Sequence, residues 1–278
     1  MKKIFTNCCA LLLISFAVSA QDAKTLHETA KNFMKQADYT NAVLVLNKAL
    51  ALEPDNLAIS KDLALTYYQK ADFPRMQTVV TPLLERKDAD AAVFQLGGIL
   101  YQAIDDVKEA EKVYKKGLKT FPSSGALYSE YGQLLWAKKD YSAIRQWEKG
   151  IEAEPNYSGN YYNAARYYYL SMDKVWSIIY GEIFVNMESY SRRTIEIKNL
   201  LLDSYKKLFT DADMTKGQDT KNAFVNAFLA NMSKQAGIAS SGITTESLTM
   251  IRTRFLLDWF EKDALKFPSR LFEYQRQL

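Results

Sequence analysis

Residues 30–54, with the sequence AKNFMKQADYTNAVLVLNKALALEP, decide the fold of this chain. Two stretches within it carry apolar residues at the three- and four-residue spacing of amphipathic helices, and a polar turn at residues 36–38 separates them. Pro54 closes the second stretch, because proline cannot continue a helix. The segment therefore predicts an antiparallel pair of helices joined by a short turn.

The same pattern recurs along the chain at steps of 34, 34, 34 and 33 residues. Four series of large or small residues follow this period, with the 33-residue step last in the first two series and third in the other two: Phe33, Tyr67, Tyr101, Leu135 and Tyr168; Ala30, Ala64, Gly98, Gly132 and Ala165; Ala42, Met76, Ala110, Ala143 and Ser177; and Leu46, Val80, Tyr114, Trp147 and Gly181. The shorter step is predicted to lie in the turn at residues 140–142. A period of this length is typical of stacked helix-pair repeats.

On these residues the chain resembles the tetratricopeptide repeat (TPR) family. Its third unit keeps the spacing of the first, with Gly98, Tyr101, Ala110, Tyr114 and Pro122. The resemblance covers about five units, predicted at residues 23–56, 57–90, 91–124, 125–157 and 158–190. It implies an all-α fold, a right-handed α-solenoid of stacked helix-turn-helix units with an extended concave groove.

Units two and five depart most from the repeat pattern. Unit two has Met76 where a small residue is usual and Pro74 in its turn, a position at which a helix can begin with proline. Unit five has Lys174 and Gly181 and lacks a closing proline. The fifth unit is therefore the weakest match to the period.

Beyond residue 190 the period is predicted to stop. Helices are predicted at 193–209, 222–236 and 245–266, with a polar loop at 210–220, a small-residue hinge at 237–244 and a short last helix capped by Ser269. Because the last repeat of a solenoid exposes apolar surface, residues 191–278 are predicted to form a helical C-terminal cap or extension. A separate role in docking a partner is the alternative.

Residues 1–20 have the pattern of a secretory signal peptide. Lys2 and Lys3 precede an apolar stretch at residues 10–18, and small residues before Gln21 suit a signal peptidase. The apolar stretch is short for crossing a bilayer, which favours cleavage over a retained anchor. Cys8 and Cys9 then leave with the signal peptide. The sequence predicts a protein secreted across the inner membrane, periplasmic or envelope-associated in a Gram-negative bacterium, with no integral membrane span after cleavage.

Composition argues against most catalytic and metal chemistry. The chain has 278 residues, one His and two Cys, which leaves few ligands for zinc and a single candidate base for a Ser/His or Cys/His centre. Lys+Arg 36 against Asp+Glu 32 gives a net charge of +4, too balanced to predict nucleic-acid binding. The lone His27 lies among lysines on its predicted helix and is interpreted as a solvated groove residue. No catalytic residue, metal site or cofactor is predicted.

In TPR proteins the first helix of each pair lines the concave groove, and the resemblance implies a partner-binding surface here. On this register the groove residues are Lys31, Lys35, Lys61, Tyr68, Gln95, Gln102, Gln133, Trp136, Tyr162, Arg166 and Tyr169. The set runs from a basic end to a middle and far end rich in amides and rings. Such a surface suits an extended peptide, since amides pair with backbone groups and rings supply contact area.

Three hypotheses for function follow from these features. The leading one is a non-enzymatic TPR scaffold or adaptor of the bacterial cell envelope that binds a protein or peptide segment in its concave groove. The alternative is a glycan- or small-ligand-binding protein that uses the groove aromatics. A third is an enzyme with its site in residues 191–278.

Overall fold

The computed structural model describes residues 21–211 and 213–278, and the predicted signal peptide at residues 1–20 lies outside them. Every regular element in the described part of the chain is helical, and no strand occurs there. The helices form two compact units, one ending at Leu134 and the other spanning Leu135–Leu278. The prediction of an all-α fold built from consecutive helix pairs is confirmed.

The first unit contains six complete helices and most of a seventh. They are α1 (21–35), α2 (Tyr39–Leu52), α3 (Leu57–Gln69), α4 (Phe73–Leu83), α5 (Ala91–Ala103), α6 (Val107–Thr120) and α7 (Gly125–Ala137), of which α7 is divided between the units. Consecutive helices from α2 to α6 pack against each other, and α3 also contacts α5. The first helices of neighbouring pairs therefore lie side by side.

Each turn inside a helix pair contains one residue in the left-handed region of backbone space. These residues are Ala37, Ala71, Asp105, Lys139 and Met172, with φ between 54° and 69°. None of them is glycine, although a residue with a Cβ pays roughly 1–2 kcal/mol in this conformation. The packing of the two flanking helices therefore imposes the turn, and the turn marks each repeat.

An aspartate follows each of these turns. Asp38, Asp72, Asp106 and Asp173 are N-caps whose carboxylates accept a backbone N–H three residues further on. In the fourth pair Asp140 instead accepts the N–H of Ser142 at 2.9 Å. Ala143 then follows Asp140 by three residues, whereas Ala42 follows Asp38 by four. The predicted one-residue deletion in the turn at 140–142 is confirmed.

The small and large series predicted from the period form the core of each pair. All members of two series are buried: Ala42, Met76, Ala110, Ala143 and Ser177, and Leu46, Val80, Tyr114, Trp147 and Gly181. Gly98 of α5 is required at its position, because a Cβ there would lie 2.2 Å from ring carbons of Tyr114. Pro74 occupies the first turn of α4, as predicted.

The second unit combines the end of the fourth repeat pair and the whole of the fifth with a longer helical segment. Its helices are α8 (Ala143–Ala153), α9 (Ser158–Leu170), α10 (Lys174–Met187), α11 (Arg192–Thr210), α12 (Ala223–Ser233), α13 (Ala236–Ala239), α14 (Thr245–Lys262) and α15 (Arg270–Gln277). The helices predicted beyond residue 190 are present, and Ser269 caps the last one by accepting the Phe272 N–H. The predicted hinge begins within the short helix α13.

The helix packing continues past residue 190 by one helix. α11 contacts both α9 and α10, so it occupies the position of a first helix in a further pair. No second repeat helix follows it directly in the described residues, because residues 211 and 213–222 are not helical. The stack thus ends on α11 rather than on α10.

The departures of unit five from the repeat pattern lie where later residues pack against α10. The Lys174 ammonium is nearly buried and lies 3.0 Å from the Asp211 carboxylate. Gly181 admits the Leu201 side chain, since a Cβ at Gly181 would lie 2.9 Å from Leu201 Cδ2. These two residues suit contacts with α11 and with the turn that follows it.

Glu182 on α10 holds the C-terminal helices through a buried polar cluster. Its carboxylate accepts hydrogen bonds from Tyr205 at 3.0 Å, from Arg252 on α14 and from Gln275 on α15. Burial raises the pKa of Glu182, and Arg252 and the hydrogen bonds oppose that rise. One carboxylate thus connects four helices.

Aromatic rings fill the core between α10, α12, α14 and α15. Neighbouring ring centroids lie 4.9–6.5 Å apart in a group formed by Trp176, Tyr180, Phe224, Phe228, Phe255, Trp259, Phe267 and Phe272. Trp259 is fully buried at its centre. Residues of the predicted C-terminal cap therefore share a core with the last repeat.

Candidate functional site

The predicted basic residues of the first unit lie on α1 and α3, and two of the three already contact carboxylates. Lys31 Nζ lies 3.0 Å from Glu28 Oε1 on the same helix, and Lys61 pairs with Asp90, the N-cap of α5. Lys35 is exposed in the last turn of α1. The basic end of the predicted groove is therefore partly neutralised.

His27 has a partner on the neighbouring first helix. Its Nε2 lies 2.6 Å from Asp62 Oδ2 on α3, and its side chain is 12% exposed. The interpretation of His27 as a solvated residue is wrong, because its side chain is largely buried and contacts Asp62 of the next repeat. The contact joins α1 to α3.

The three predicted glutamines are engaged in hydrogen bonds within the compact unit that ends at Leu134. Gln102 donates to the Tyr114 hydroxyl at 2.6 Å, which turns the amide toward α6. Gln95 and Gln133 donate to the two oxygens of Glu130, at 3.3 Å and 3.5 Å. Burial raises the pKa of Glu130. The amide-rich middle of the predicted groove thus surrounds a carboxylate that the sequence analysis did not single out.

Two predicted aromatic residues differ in their surroundings. Tyr68 is 37% exposed, with its ring centroid 6.2 Å from that of Phe73. Trp136 is half-buried, and its ring centroid lies 6.2 Å from Trp147 and 5.4 Å from Tyr167. Part of the Trp136 ring therefore packs inside the second unit, which leaves Tyr68 as the more accessible ring.

The remaining predicted residues come together on α9, facing α11. Glu196 Oε2 accepts the Tyr162 hydroxyl at 2.6 Å, and Glu196 Oε1 lies 2.9 Å from Arg166 Nε. The Arg166 and Arg193 guanidinium groups each lie 5.2 Å from the Tyr162 ring centroid. Burial raises the pKa of Tyr162 to about 12. These contacts form the first polar clamp, defined by Tyr162, Arg166 and Glu196.

A second polar clamp lies further along the same two helices. Asp203 Oδ2 accepts the Tyr169 hydroxyl at 2.6 Å and lies 2.7 Å from Lys207 Nζ. Lys207 also lies 4.5 Å from the Tyr169 ring centroid. The hydrogen bonds from Lys207 and Tyr169 lower the pKa of Asp203. The second clamp, Tyr169, Asp203 and Lys207, therefore holds an ionised carboxylate against a cation.

An open cleft of about 410 Å³ lies between α9 and α11, with members of both clamps in its walls. Leu170 and Leu200 supply its apolar surface and Asn199 its uncharged polar group. Leu170 is 59% exposed, whereas Leu200 is buried at the floor. Predicted groove residues Arg166 and Tyr169 line this cleft directly. It is the place where the structure brings predicted residues together around an accessible space.

The α11 wall of the cleft was missed by the sequence analysis, because the groove was predicted to end at residue 190. The sequence nevertheless contains a spacing that would have located this wall. Glu196 stands 34 residues after Tyr162, and Asp203 stands 34 residues after Tyr169. Extending the period by one helix would have placed both carboxylates on the groove.

The described residues, 21–211 and 213–278, contain neither a metal-binding cluster nor a membrane-spanning helix. No group of three or more His, Cys, Asp and Glu side chains there could hold a metal ion. No helix in the same residues has the length and apolar character needed to cross a membrane.

Solved structures with similar folds are TPR proteins. A thermophilic TPR protein of Thermus thermophilus matches with a TM-score of 0.57 and 14% identity, over 65% of this chain and 99% of its own. Pseudomonas aeruginosa PilF matches with a TM-score of 0.54 and 14% identity, over 69% and 92%. PilW, a widely conserved type IV pilus biogenesis factor, matches with a TM-score of 0.52 and 16% identity, over 83% and 98%.

The chain has the TPR fold. At these identities the likeness concerns the fold alone. No protein-family model matches the sequence, and no curated protein sequence matches it.

Proposed function

We propose that the protein is a non-enzymatic scaffold or adaptor of the bacterial cell envelope that binds a protein segment on the first-helix faces of its repeats. The observation that carries the proposal is the cleft between α9 and α11. It is open, it joins apolar and polar groups, and it is lined by side chains of two neighbouring first helices. Binding surfaces of protein partners combine these features.

The envelope location is supported by the signal-peptide pattern of residues 1–20. Among proteins with the same fold, PilW is a type IV pilus biogenesis factor. The proposal places the protein in the periplasm or on an envelope surface of a Gram-negative bacterium, with no nucleic acid, metal or cofactor in its role.

The proposed binding surface has two parts. In the second unit it comprises the cleft and its two clamps. In the first unit it comprises exposed or half-buried groove residues: Lys31, Lys35, Lys61, Tyr68, Gln95 and Gln133. Gln102 contributes less, because its amide is engaged by Tyr114.

Glycan binding is the weaker candidate. It requires free ring faces on Trp136, Tyr162 and Tyr169. Trp136 packs against neighbouring rings, and cationic groups lie within 5.2 Å of the Tyr162 and Tyr169 ring centroids. Their hydroxyls donate to carboxylates. A sugar would have to displace these contacts before it could stack.

In-cell photo-crosslinking tests the binding surface. A photoreactive phenylalanine at Leu170 is expected to give a discrete adduct with a partner protein, because this side chain is exposed in the cleft. The same group at Lys149, an exposed residue of α8, is the matched control and is expected to give none. Asn199→Trp, which fills the cleft, is expected to abolish the adduct. Equal adducts at both positions, or none at Leu170, would contradict the proposal.

Cell fractionation tests the location separately. The protein is expected in the periplasmic or envelope fraction, with an N-terminus at Gln21 by mass spectrometry. Recovery of the uncleaved chain in the cytosol would contradict the envelope role without bearing on the cleft.

A further inference from the structure

The two clamps divide the cleft into a central section with charged ends. Glu196 and Asp203 stand seven residues apart on α11, which at 1.5 Å per residue is about 10 Å along the helix. An extended chain rises roughly 3.3 Å per residue, so about three residues fit between the clamps. A bound segment that lies along α11 would therefore contact the section between the clamps with about three residues.

The charges at both ends are already paired. Arg166 lies 2.9 Å from Glu196, and Lys207 lies 2.7 Å from Asp203. Each carboxylate also accepts a tyrosine hydroxyl at 2.6 Å. Two positive and two negative groups sum to zero, so the cleft offers a charged ligand no net attraction. A charged side chain entering it would meet an ion pair at either end, with no unpaired counter-charge among these four groups.

The other groups that line the cleft are uncharged. Leu170 is 59% exposed, and Leu200 forms the floor beside it. Asn199 is exposed, and its amide has no hydrogen-bond partner among residues 21–211 and 213–278. An amide side chain offers both a donor and an acceptor, which are the groups needed to pair with a peptide backbone.

We propose that the occupant of this cleft is an uncharged, extended protein segment of about three residues that places one large aliphatic side chain on Leu170 and Leu200. Its backbone pairs with the Asn199 amide. The clamps set the ends of the site and disfavour acidic and basic residues between them. This inference rests on the proposed function, which says only that a protein segment binds on this surface.

Nuclear magnetic resonance with short blocked peptides tests the inference on the purified full chain. The probes are Ac-Gly-Leu-Gly-NH2, Ac-Gly-Glu-Gly-NH2 and Ac-Gly-Lys-Gly-NH2, with chitotriose as a neutral sugar. The leucine peptide is expected to shift amide signals of α9 and α11. Its dissociation constant is expected to be about ten-fold lower than that of either charged peptide.

Variants of cleft residues, compared with a control variant elsewhere, test whether the leucine peptide binds in the cleft. Leu170→Ser and Asn199→Ala change exposed side chains and are expected to weaken the leucine peptide several-fold, with the fold intact. Leu257→Ser, an exposed leucine of α14, is the control and is expected to leave binding unchanged. Tighter binding of a charged peptide or of chitotriose overturns the inference, as does the absence of shifts with the leucine peptide. If the Leu170 crosslink persists in that case, the scaffold proposal stands and only the neutral-segment assignment fails.

Discussion

The two compact units of this protein use one repeat in different ways. In the unit ending at Leu134 the repeat is regular, with an aspartate cap on each second helix and a mostly aliphatic core. In the unit Leu135–Leu278 the core also contains a network of contacting aromatic rings. All the charged side chains that are buried in the described residues, Asp173, Lys174 and Glu182, lie in the second unit.

The difference shows how the last repeat of a stack is adapted to the non-repeating helices that cover it. Lys174, Gly181 and Glu182 all lie on α10, and each contacts residues that come after position 190. A regular repeat exposes an apolar edge that the next repeat would cover. Here the edge is covered by non-repeating helices, and α10 carries the residues that fit them. Departures from the period therefore mark a docking face rather than a loss of structure.

The largest effect is expected from breaking the Glu182 cluster. Glu182→Ala removes a buried carboxylate and leaves Tyr205, Gln275 and the Arg252 guanidinium without their acceptor. Leaving a buried donor without its acceptor costs about 1–3 kcal/mol for each group, and the partly exposed Arg252 adds less. Urea denaturation followed by tryptophan fluorescence measures the loss, since Trp259 lies in the core that these helices share.

A double-mutant cycle with Arg252 sharpens this first prediction. Arg252→Ala alone is expected to destabilise the second unit, and the double variant is expected to lose less than the sum of the two, because the partners interact. Additive losses would mean that Glu182 and Arg252 act independently. The cluster would then not be what joins α14 to α10.

A smaller effect distinguishes the two units at two glycines that make close helix contacts. Gly98→Ala in the first unit places a Cβ 2.2 Å from a tyrosine ring, whereas Gly181→Ala in the second places one 2.9 Å from a leucine methyl. A buried ring has little room to move, so Gly98→Ala is expected to cost about 2–3 kcal/mol. A leucine end can rotate, and alanine gains about 1 kcal/mol in helix propensity, so Gly181→Ala is expected to be near neutral.

Thermal and urea unfolding of the two glycine variants measure this difference. Gly237→Ala serves as the control, because nothing lies within 4 Å of a Cβ added there. If Gly181→Ala proved as destabilising as Gly98→Ala, the second unit would be as tightly constrained at α10 and α11 as the regular repeats are at α5 and α6.

The fold was predictable because the residues needed for helix packing recur at equivalent positions in five units. Ala42 alone says little, but small or buried residues at every equivalent position place a close helix crossing in each unit. The left-handed turns were not predictable in detail, since residues such as Ala71 adopt φ 54° without any glycine signal. Tertiary packing sets their conformation.

The site was predictable only in part, for a physical reason. Tyr162, Arg166 and Tyr169 were found because the period locates first-helix faces. Their partners on α11 were missed, since the apolar period fades there while the polar spacing of 34 residues continues. Contacts such as Glu182 with Arg252, which are 70 residues apart, follow no period. A repeat pattern predicts contacts that recur in every unit, whereas a contact made once, at the end of the stack, leaves no periodic signal in the sequence.

The smallest effect is expected at Glu130, a half-buried carboxylate of the first unit. It accepts two glutamine amides and, unlike Glu182, has no Lys or Arg partner among residues 21–211 and 213–278. Burial raises the pKa of Glu130 in the folded state, so the folded chain binds the carboxyl proton more tightly than the unfolded chain does. Its stabilising contribution is therefore present at low pH and is lost as the pH rises through the raised pKa.

Glu130→Gln keeps the shape and the Gln95 hydrogen bond but removes the charge. The variant is expected to exceed the parent in free energy of unfolding by about 1 kcal/mol at pH 7, because no charge needs to be buried. At pH 4, where the parent carboxyl is protonated, the difference is expected to shrink. Glu273→Gln, at an exposed position of α15, is the control and is expected to change stability little at either pH. A variant that is less stable than the parent at pH 7 would mean that the ionised Glu130 carboxylate makes favourable contacts within the first unit, as Glu182 does with Arg252 in the second. The contrast between the two units would then not extend to these two carboxylates.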